Sequence, residues 1–274
     1  MGKSKASRPS SPSRSKATLR VTLFLVACPL LLALAGAVLT KHPNLSSVVV
    51  MGAIAVLGTS ALTALFVRWD GLKLDDVGAD VVPRSGLRLV LGFLVGTLLV
   101  TLQTLITNFA GHVQWVRAPE VALSQSGIAL LGFLLLAARE ELAFRGYPLR
   151  RLEKLFGPYQ SLLLLAVVFA LEHLAGGYTW SNALFGAGVG ALLFGMAALA
   201  TRGLALPIGL HTAWNFGQWI LGNTEFPGPW KPVIDPGLEH RVGQTEMISY
   251  VVVMLLATFI FWRLHTKAIC SVGK

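Results

Sequence analysis

Long apolar runs recur along the whole chain, and they constrain its fold more than any other feature. Each run approaches the ~20 residues that an α-helix needs to cross the hydrocarbon core of a bilayer. The membrane interior offers the backbone no water to bond to, so such segments are expected to be helical. We predict an all-α, polytopic membrane helical bundle with about eight transmembrane helices, at residues 19–40, 45–67, 87–109, 126–147, 159–174, 182–201, 204–222 and 246–265.

The composition supports a membrane protein and narrows its partners. Hydrophobic residues make up 54% of the chain and charged residues only 13%, whereas soluble proteins carry about 25% charged residues. The net charge is +10, but the basic residues lie in the N-terminal tail and between the apolar runs. Because no basic patch is interleaved with aromatic residues, no nucleic-acid partner is expected. Two cysteines, Cys28 and Cys270, provide no disulfide framework.

The basic residues also predict the topology. Residues 1–18 are rich in Ser, Pro, Lys and Arg and contain no acid, so we expect a disordered basic cytosolic tail. Residues 19–266 form the expected transmembrane domain. With the N-terminus inside, inner loops and flanks hold seventeen lysines and arginines, and outer segments hold four. This bias predicts that both termini are cytosolic. The first run has signal-peptide features, but its spanning length favours a retained helix.

Charged residues stand at the end of the fourth run, where hydrocarbon is expected. Arg139, Glu140, Glu141 and Arg145 lie within seven positions, and ionisable groups inside a membrane helix mark functional sites. Glu141 and Arg145 are four apart and share a helical face, which is also typical of a buried pair that locks packing. Glu140 points about 100° away from Glu141. A second carboxylate in such surroundings is a candidate general base.

Two further polar clusters lie in the fifth and seventh runs. Phe169 and His173 share a face at i, i+4, as do His211 and Asn215. Alone, His173 is more typical of a satisfied interfacial residue near a helix end, and His211 with Asn215 is more typical of interhelical hydrogen bonding. Glu172, beside His173, has no assigned role. Together with Glu140 they favour a site. In unbroken helices Glu140 and His173 lie at similar depths from a turn at residues 157–158. We therefore expect the three clusters to converge on one cavity.

The order of these motifs resembles a known family. Glu-Glu-x-x-x-Arg, Phe-x-x-x-His and His-x-x-x-Asn, each in its own helix, resemble the CPBP family of intramembrane proteases over about residues 125–222. That family includes the CAAX prenyl endopeptidases and the Abi-type bacterial proteins. The resemblance implies that Glu140, with His173, activates a water, and that His211 and Asn215 stabilise the oxyanion. It implies supporting roles for Glu141, Arg145 and Phe169.

The expected function is that of an intramembrane glutamic endopeptidase. It would hydrolyse a peptide bond of a membrane-associated or lipidated protein or peptide, within membrane lipid. Glu, His and His are acceptable zinc ligands, but there is no HExxH motif and the resemblance implies a metal-independent mechanism. We therefore expect neither a metal nor another cofactor. The substrate stays open between prenylated proteins and proteins with a C-terminal sorting signal.

Two other classes of function compete with this hypothesis. A non-catalytic immunity or scaffold protein would reuse the fold without its chemistry. A proton-coupled transporter would also bury Glu, Arg and His, but the chain lacks the repeat symmetry that many transporters show. The expected location is a bacterial inner or plasma membrane, and the sequence leaves the oligomeric state open.

Overall fold

The computed structural model describes residues 14–39, 44–111, 113–118 and 121–272. Within these ranges most residues are α-helical, which confirms the all-α fold class. The described helices are α1 (Arg14–Leu39), α2 (Leu45–Trp69), α3 (Ser85–Gly111), α4 (Leu123–Glu141), α5 (Tyr147–Phe156), α6 (Pro158–Ala175), α7 (Val189–Thr201), α8 (Ala205–Ile220) and α9 (Glu239–Val272).

Six helical segments in the described part of the chain are long and apolar enough to cross a membrane. They comprise most or all of α1, α2, α3, α6 and α9, and the segment Asn182–Thr201. The chain is therefore an integral membrane protein. Helix α4 carries Arg139 and two glutamates at its end, and α8 has only 16 residues. The total of eight spans stays a prediction.

The fourth predicted span is not one regular helix. Helix α4 ends at Glu141, and Leu142–Gly146 form a wider π-helical turn before α5 continues to Phe156. A second π-helical segment, Asn182–Gly188, leads into α7. Pro148 lies in the first turn of α5, where proline is tolerated because its missing N–H would have no helical partner. The unbroken helix expected over residues 126–147 is therefore not observed.

The N-terminal boundary also differs from the prediction. Most of the expected tail falls on residues 1–13, outside the described residues, but α1 already begins at Arg14. The basic end of α1 is held by partners on α2. The Arg20 guanidinium pairs with the Asp70 carboxylate and lies 4.4 Å from the centre of the Trp69 ring. This contact anchors the N-terminal half of α1 to the end of α2.

Close packing of α8 against α3 positions the centre of the bundle. Helix α8 also contacts α4 and α7, while α4 packs between α2 and α8. A Cβ atom added at Gly209 would lie 2.1 Å from the carbonyl oxygen of Leu89, and one at Gly92 equally close to the carbonyl oxygen of Leu206. Small residues allow membrane helices this backbone approach. Glycine therefore sets how near α8 lies to α3.

A small two-stranded sheet links two loops at one end of the bundle. Strand β1 (Gln114–Arg117) pairs antiparallel with β2 (Trp230–Val233), and Trp115 lies opposite Pro232. The indole N–H of Trp115 donates to the side-chain oxygen of Asn108 at 2.8 Å. Strand β2 lies in a Pro- and Gly-rich segment, Phe226–Gly237, between the predicted seventh and eighth spans. Strands of four residues are too short to produce a clear alternating pattern.

Candidate active site

The charged stretch at the end of α4 lies where the helix changes from α to π geometry. Glu140 and Glu141 are the last residues of α4, and Arg145 lies in the buried π-helical turn that follows. A π turn is rare and is often found at functional sites. The Arg145 Nη1 donates to Glu141 Oε1 at 3.3 Å, and both side chains are almost fully buried. This pair joins the two side chains that their spacing places on one face.

His211 of α8 lies between the two carboxylates. Its Nδ1 is 2.9 Å from Glu141 Oε1, and its Nε2 is 3.6 Å from Glu140 Oε2. An ionised carboxylate only accepts hydrogen bonds, so Nδ1–H donates to Glu141 and Nε2 faces Glu140. The imidazole also stacks on Phe194 of α7, with ring centres 4.3 Å apart. The His211 ring is therefore fixed in orientation by contacts from α4 and α7.

His173 of α6 is oriented by its own helix and by aromatic rings. Its Nδ1 lies 2.9 Å from the carbonyl oxygen of Phe169, which can only accept, so Nδ1–H is the donor. The Nε2 atom has no hydrogen-bond partner among the described residues. The His173 ring contacts Phe169 at 4.4 Å and Tyr178 at 5.0 Å, measured between ring centres. Phe169 also lies 6.4 Å from His211, so one aromatic ring separates the two imidazoles.

Arg145 connects these residues to α7. Its Nη2 donates to the carbonyl oxygen of Ala191 at 3.3 Å. Its guanidinium lies 4.7 Å from the Phe169 ring centre and within 6 Å of two further rings, those of Phe144 and Phe194. Desolvated cation–π contacts of this kind stabilise a buried charge. The arrangement keeps Arg145 beside Glu141 without contact with solvent.

Glu140 and Asn215 complete the set of residues singled out in the sequence. The Glu140 side chain is 18% exposed, whereas that of Glu141 is 0% exposed. His211, His173, Arg139 and Arg145 are the charged or titratable neighbours that act electrostatically on Glu140. Asn215 is half-buried, one helical turn beyond His211. The structure gives its amide no hydrogen-bond partner among the described residues.

The site segment matches a family model. Residues 123–217 match the family described as type II CAAX prenyl endopeptidase Rce1-like. The match covers about a third of the chain and contains all three motifs. It confirms the resemblance to CAAX proteases that the motifs indicated. A search of curated proteins found no match to the chain.

The matched Rce1-like family is a family of proteases, which are hydrolases. Together with the membrane-spanning helices, the match indicates CAAX-type intramembrane protease activity on a protein or peptide. Among the residues described, no three His, Cys, Asp or Glu side chains are grouped so that they could hold one metal ion. The expectation of a metal-independent mechanism stays a prediction.

The structure assigns a partner to Glu172, which the sequence left without a role. The Arg139 Nη2 donates to Glu172 Oε1 at 2.7 Å. The two residues directly precede Glu140 and His173 in the chain. In the sequence, both are simply charged residues in an apolar helix. Their pairing crosses between α4 and α6, and no spacing within one helix predicts it.

A second buried cluster was missed altogether. The Asp70 side chain, at the end of α2, is 0% exposed and contacts Arg20, Arg151 and Tyr147. The Tyr147 hydroxyl donates to Asp70 Oδ2 at 2.9 Å, and Arg151 Nε lies 2.7 Å from the same oxygen. These contacts tie α1, α2 and α5 together next to the π-helical turn. Their residues come from distant parts of the sequence, so no local motif signals them.

Proposed function

We propose that this protein is an intramembrane endopeptidase in which Glu140 activates the attacking water. The observation that carries the proposal is the position of His211, with Nδ1 on Glu141 and Nε2 facing Glu140. Glu141 and Glu140 therefore differ in their surroundings. Glu141 Oε1 accepts from His211 and Arg145, whereas no described residue donates a hydrogen bond to Glu140; the Oε2 atoms of both glutamates have no partner among those residues. The Glu140 side chain is also 18% exposed, while that of Glu141 is 0% exposed. The less engaged and more accessible carboxylate is the better candidate base.

The reaction is an ordinary peptide hydrolysis. The oxygen of a water attacks the scissile carbonyl carbon while Glu140 accepts a proton from that water. The C–N bond of the resulting tetrahedral oxyanion then breaks, and the proton held by Glu140 passes to the leaving amine. The products are a carboxylic acid and an amine. His173 presents its free Nε2 to the same water and helps to orient it.

His211 and Asn215 are the proposed oxyanion donors. Donors aimed at a developing oxyanion are often the largest single contribution to acyl-transfer catalysis. The Nδ1–H of His211 is already used by Glu141, so His211 donates from Nε2 only when it carries a second proton. The Asn215 amide has no hydrogen-bond partner among the described residues and supplies a neutral donor. Exclusion of bulk water from the membrane strengthens both interactions.

The substrate is proposed to be a membrane-associated protein or peptide. The description of the matched family suggests a prenylated cysteine near the C-terminus. A protein with a C-terminal sorting signal is the second substrate class within the same activity. We further propose that both termini are cytosolic, on the basis of the positive-inside bias. From the Ala-, Leu- and Gly-rich composition we propose that the protein resides in a bacterial inner or plasma membrane.

Replacement of one carboxylate oxygen at Glu140 tests the proposal. In cells that carry Glu140→Gln, we expect one or more membrane proteins to accumulate uncut, as measured by comparing membrane proteomes with the parent strain. The matched control is Glu239→Gln, an exposed glutamate at the start of α9. Purified protein in proteoliposomes is then given quenched peptides with and without a farnesylated cysteine, which separates the two substrate classes.

The outcomes distinguish the competing functions. Loss of cleavage with normal membrane insertion supports the proposal. Full cleavage by purified Glu140→Gln protein would refute it. Unchanged membrane proteomes together with preserved biological function in the Glu140→Gln strain would instead indicate a non-catalytic scaffold.

A further inference from the structure

A buried ion pair lies directly beside the proposed catalytic residues. Arg139 precedes Glu140 on α4, and Glu172 precedes His173 on α6. The Arg139 Nη2 donates to Glu172 Oε1 at 2.7 Å, and the Arg139 side chain is only 1% exposed. Neither residue belongs to the three motifs. The proposed mechanism therefore leaves this pair unexplained.

The pair connects two helices that pack mainly against other elements. Helix α4 packs against α2 and α8, whereas α6 packs against α5 and α7. Among the described residues, the Arg139–Glu172 contact is the side-chain hydrogen bond that joins α4 to α6. The direction of the Arg139 side chain is therefore set by Glu172.

Without Glu172, the Arg139 guanidinium would still attract one nearby carboxylate, that of Glu140. A buried cation requires an anionic partner, and Arg139 already acts electrostatically on Glu140. A guanidinium bound to Glu140 would occupy the oxygens that a base needs. The charged and titratable groups around Glu140 are Arg139, Glu141, Arg145, His173, Tyr178 and His211.

The other basic neighbours of Glu140 have partners of their own. Arg145 is held by Glu141 and by the carbonyl oxygen of Ala191. His211 donates to Glu141, and His173 donates to the carbonyl oxygen of Phe169. Arg139 of α4 pairs with a residue of another helix, Glu172 of α6. Its Nε has no hydrogen-bond partner among the described residues, so Glu172 alone directs its charge.

We propose that Glu172 is a positioning residue, which holds the Arg139 guanidinium away from Glu140 and so keeps the Glu140 carboxylate free to act on water. This inference rests on the function proposed above. It assigns Glu172 no contact with the substrate. Its effect on the reaction passes entirely through Arg139.

The test is suppression of one substitution by another. In Glu172→Gln, we expect kcat to fall at least about tenfold, because Arg139 pairs with Glu140; complete loss of a general base would cost ~10²–10⁴-fold. Adding Arg139→Met removes that cation, so the double variant is expected to recover most of the lost kcat. A merely structural role of Glu172 predicts no such recovery. The substrate is the quenched peptide, with or without a farnesylated cysteine, that the parent protein cleaves in proteoliposomes.

The pH–rate profile supplies a second readout. An uncompensated cation beside Glu140 favours its ionised form, so the acid limb of Glu172→Gln is expected to move to lower pH. The double variant returns the limb toward that of the parent. The double variant lacks both charges of the Arg139–Glu172 pair, so we expect it to fold even if Glu172→Gln alone proves unstable.

Two results would overturn the inference. One is parent-like kcat and pH profile in Glu172→Gln, and the other is a double variant as slow as Glu172→Gln. The inference and the proposed function fail separately. Full activity of Glu140→Gln defeats both, whereas an inactive Glu140→Gln with an unaffected Glu172→Gln defeats only the role of Glu172.

Discussion

Replacing Gly209 with alanine should slow the reaction by moving α8. The added Cβ would lie 2.1 Å from the carbonyl oxygen of Leu89 and 2.7 Å from the backbone nitrogen of Phe93. Both atoms belong to the backbone of α3, so no change of side-chain rotamer relieves the contact. His211 lies two residues further along α8. Separation of α3 and α8 therefore moves the proposed oxyanion donor.

The size of the displacement follows from the contact distance. Ordinary van der Waals contact begins at 3.4 Å, so a Cβ at 2.1 Å requires a separation of roughly 1.3 Å. If the two helices share this movement, α8 shifts by about half of it. A misplacement of ~1 Å can cost about a hundredfold in rate. A shift of roughly half an ångström in α8 therefore corresponds to about a tenfold fall in kcat. The 2.9 Å hydrogen bond from His211 to Glu141 would stretch accordingly.

The assay compares Gly209→Ala with Gly127→Ala. Gly127 also lies inside a helix, but a Cβ there would meet no atom within 4 Å, so alanine should leave kcat unchanged and stabilise slightly. Cleavage rates in proteoliposomes and melting temperatures in detergent are measured for both variants. Parent-like kcat in Gly209→Ala, or an equal loss in Gly127→Ala, would show that helix separation does not control the site.

Two further substitutions examine the buried partners. Glu141→Gln keeps an amide oxygen that can accept from His211 Nδ1 and Arg145 Nη1, but it removes the negative charge that pairs with the buried Arg145. Because a buried cation without its anion disturbs its surroundings, we expect kcat to fall about tenfold or more with little change in KM. A parent-like kcat would contradict the orienting role of Glu141. Asp70→Asn leaves Arg20 and Arg151 without their anion and should lower the free energy of unfolding by about 3 kcal/mol, as measured by denaturant unfolding in detergent. The control is Asp75→Asn at an exposed position, which should change the free energy of unfolding by less than about 0.5 kcal/mol. Equal effects of the two substitutions would refute the argument.

Features that repeat along the sequence were predictable. The ends of α2, α3 and α6 lie within two residues of the predicted spans, because uninterrupted apolar runs report helix length directly. The contacts between Glu141 and Arg145 and between Phe169 and His173 follow from i, i+4 spacing. These contacts depend only on spacing within one helix, so they can be predicted without knowledge of the tertiary structure.

Features that depend on tertiary contacts were not predictable. The partner of Glu172 lies 33 residues away, and Asp70 meets Tyr147 across 77 residues. Neither separation is the three or four residues that place two side chains on one face of a helix. The sequence distinguishes Glu140 from Glu141 only by the different helical faces on which they lie. The structure adds the reason, since one imidazole and one guanidinium both engage Glu141.

The π-helical turn at Leu142–Gly146 has a consequence for how this region tolerates change. A π turn contains one residue more than the α turn it replaces, and each residue of an α-helix turns the chain by about 100°. Glu140 and Glu141 must face α8, while Tyr147 and Arg151 must face Asp70. The extra residue, together with the non-helical backbone at Gly146 (ψ −117°), lets α4 and α5 hold separate rotational phases. Deleting one residue within the turn would straighten the helix and force one end out of phase, so substitutions here should be far better tolerated than a change in length.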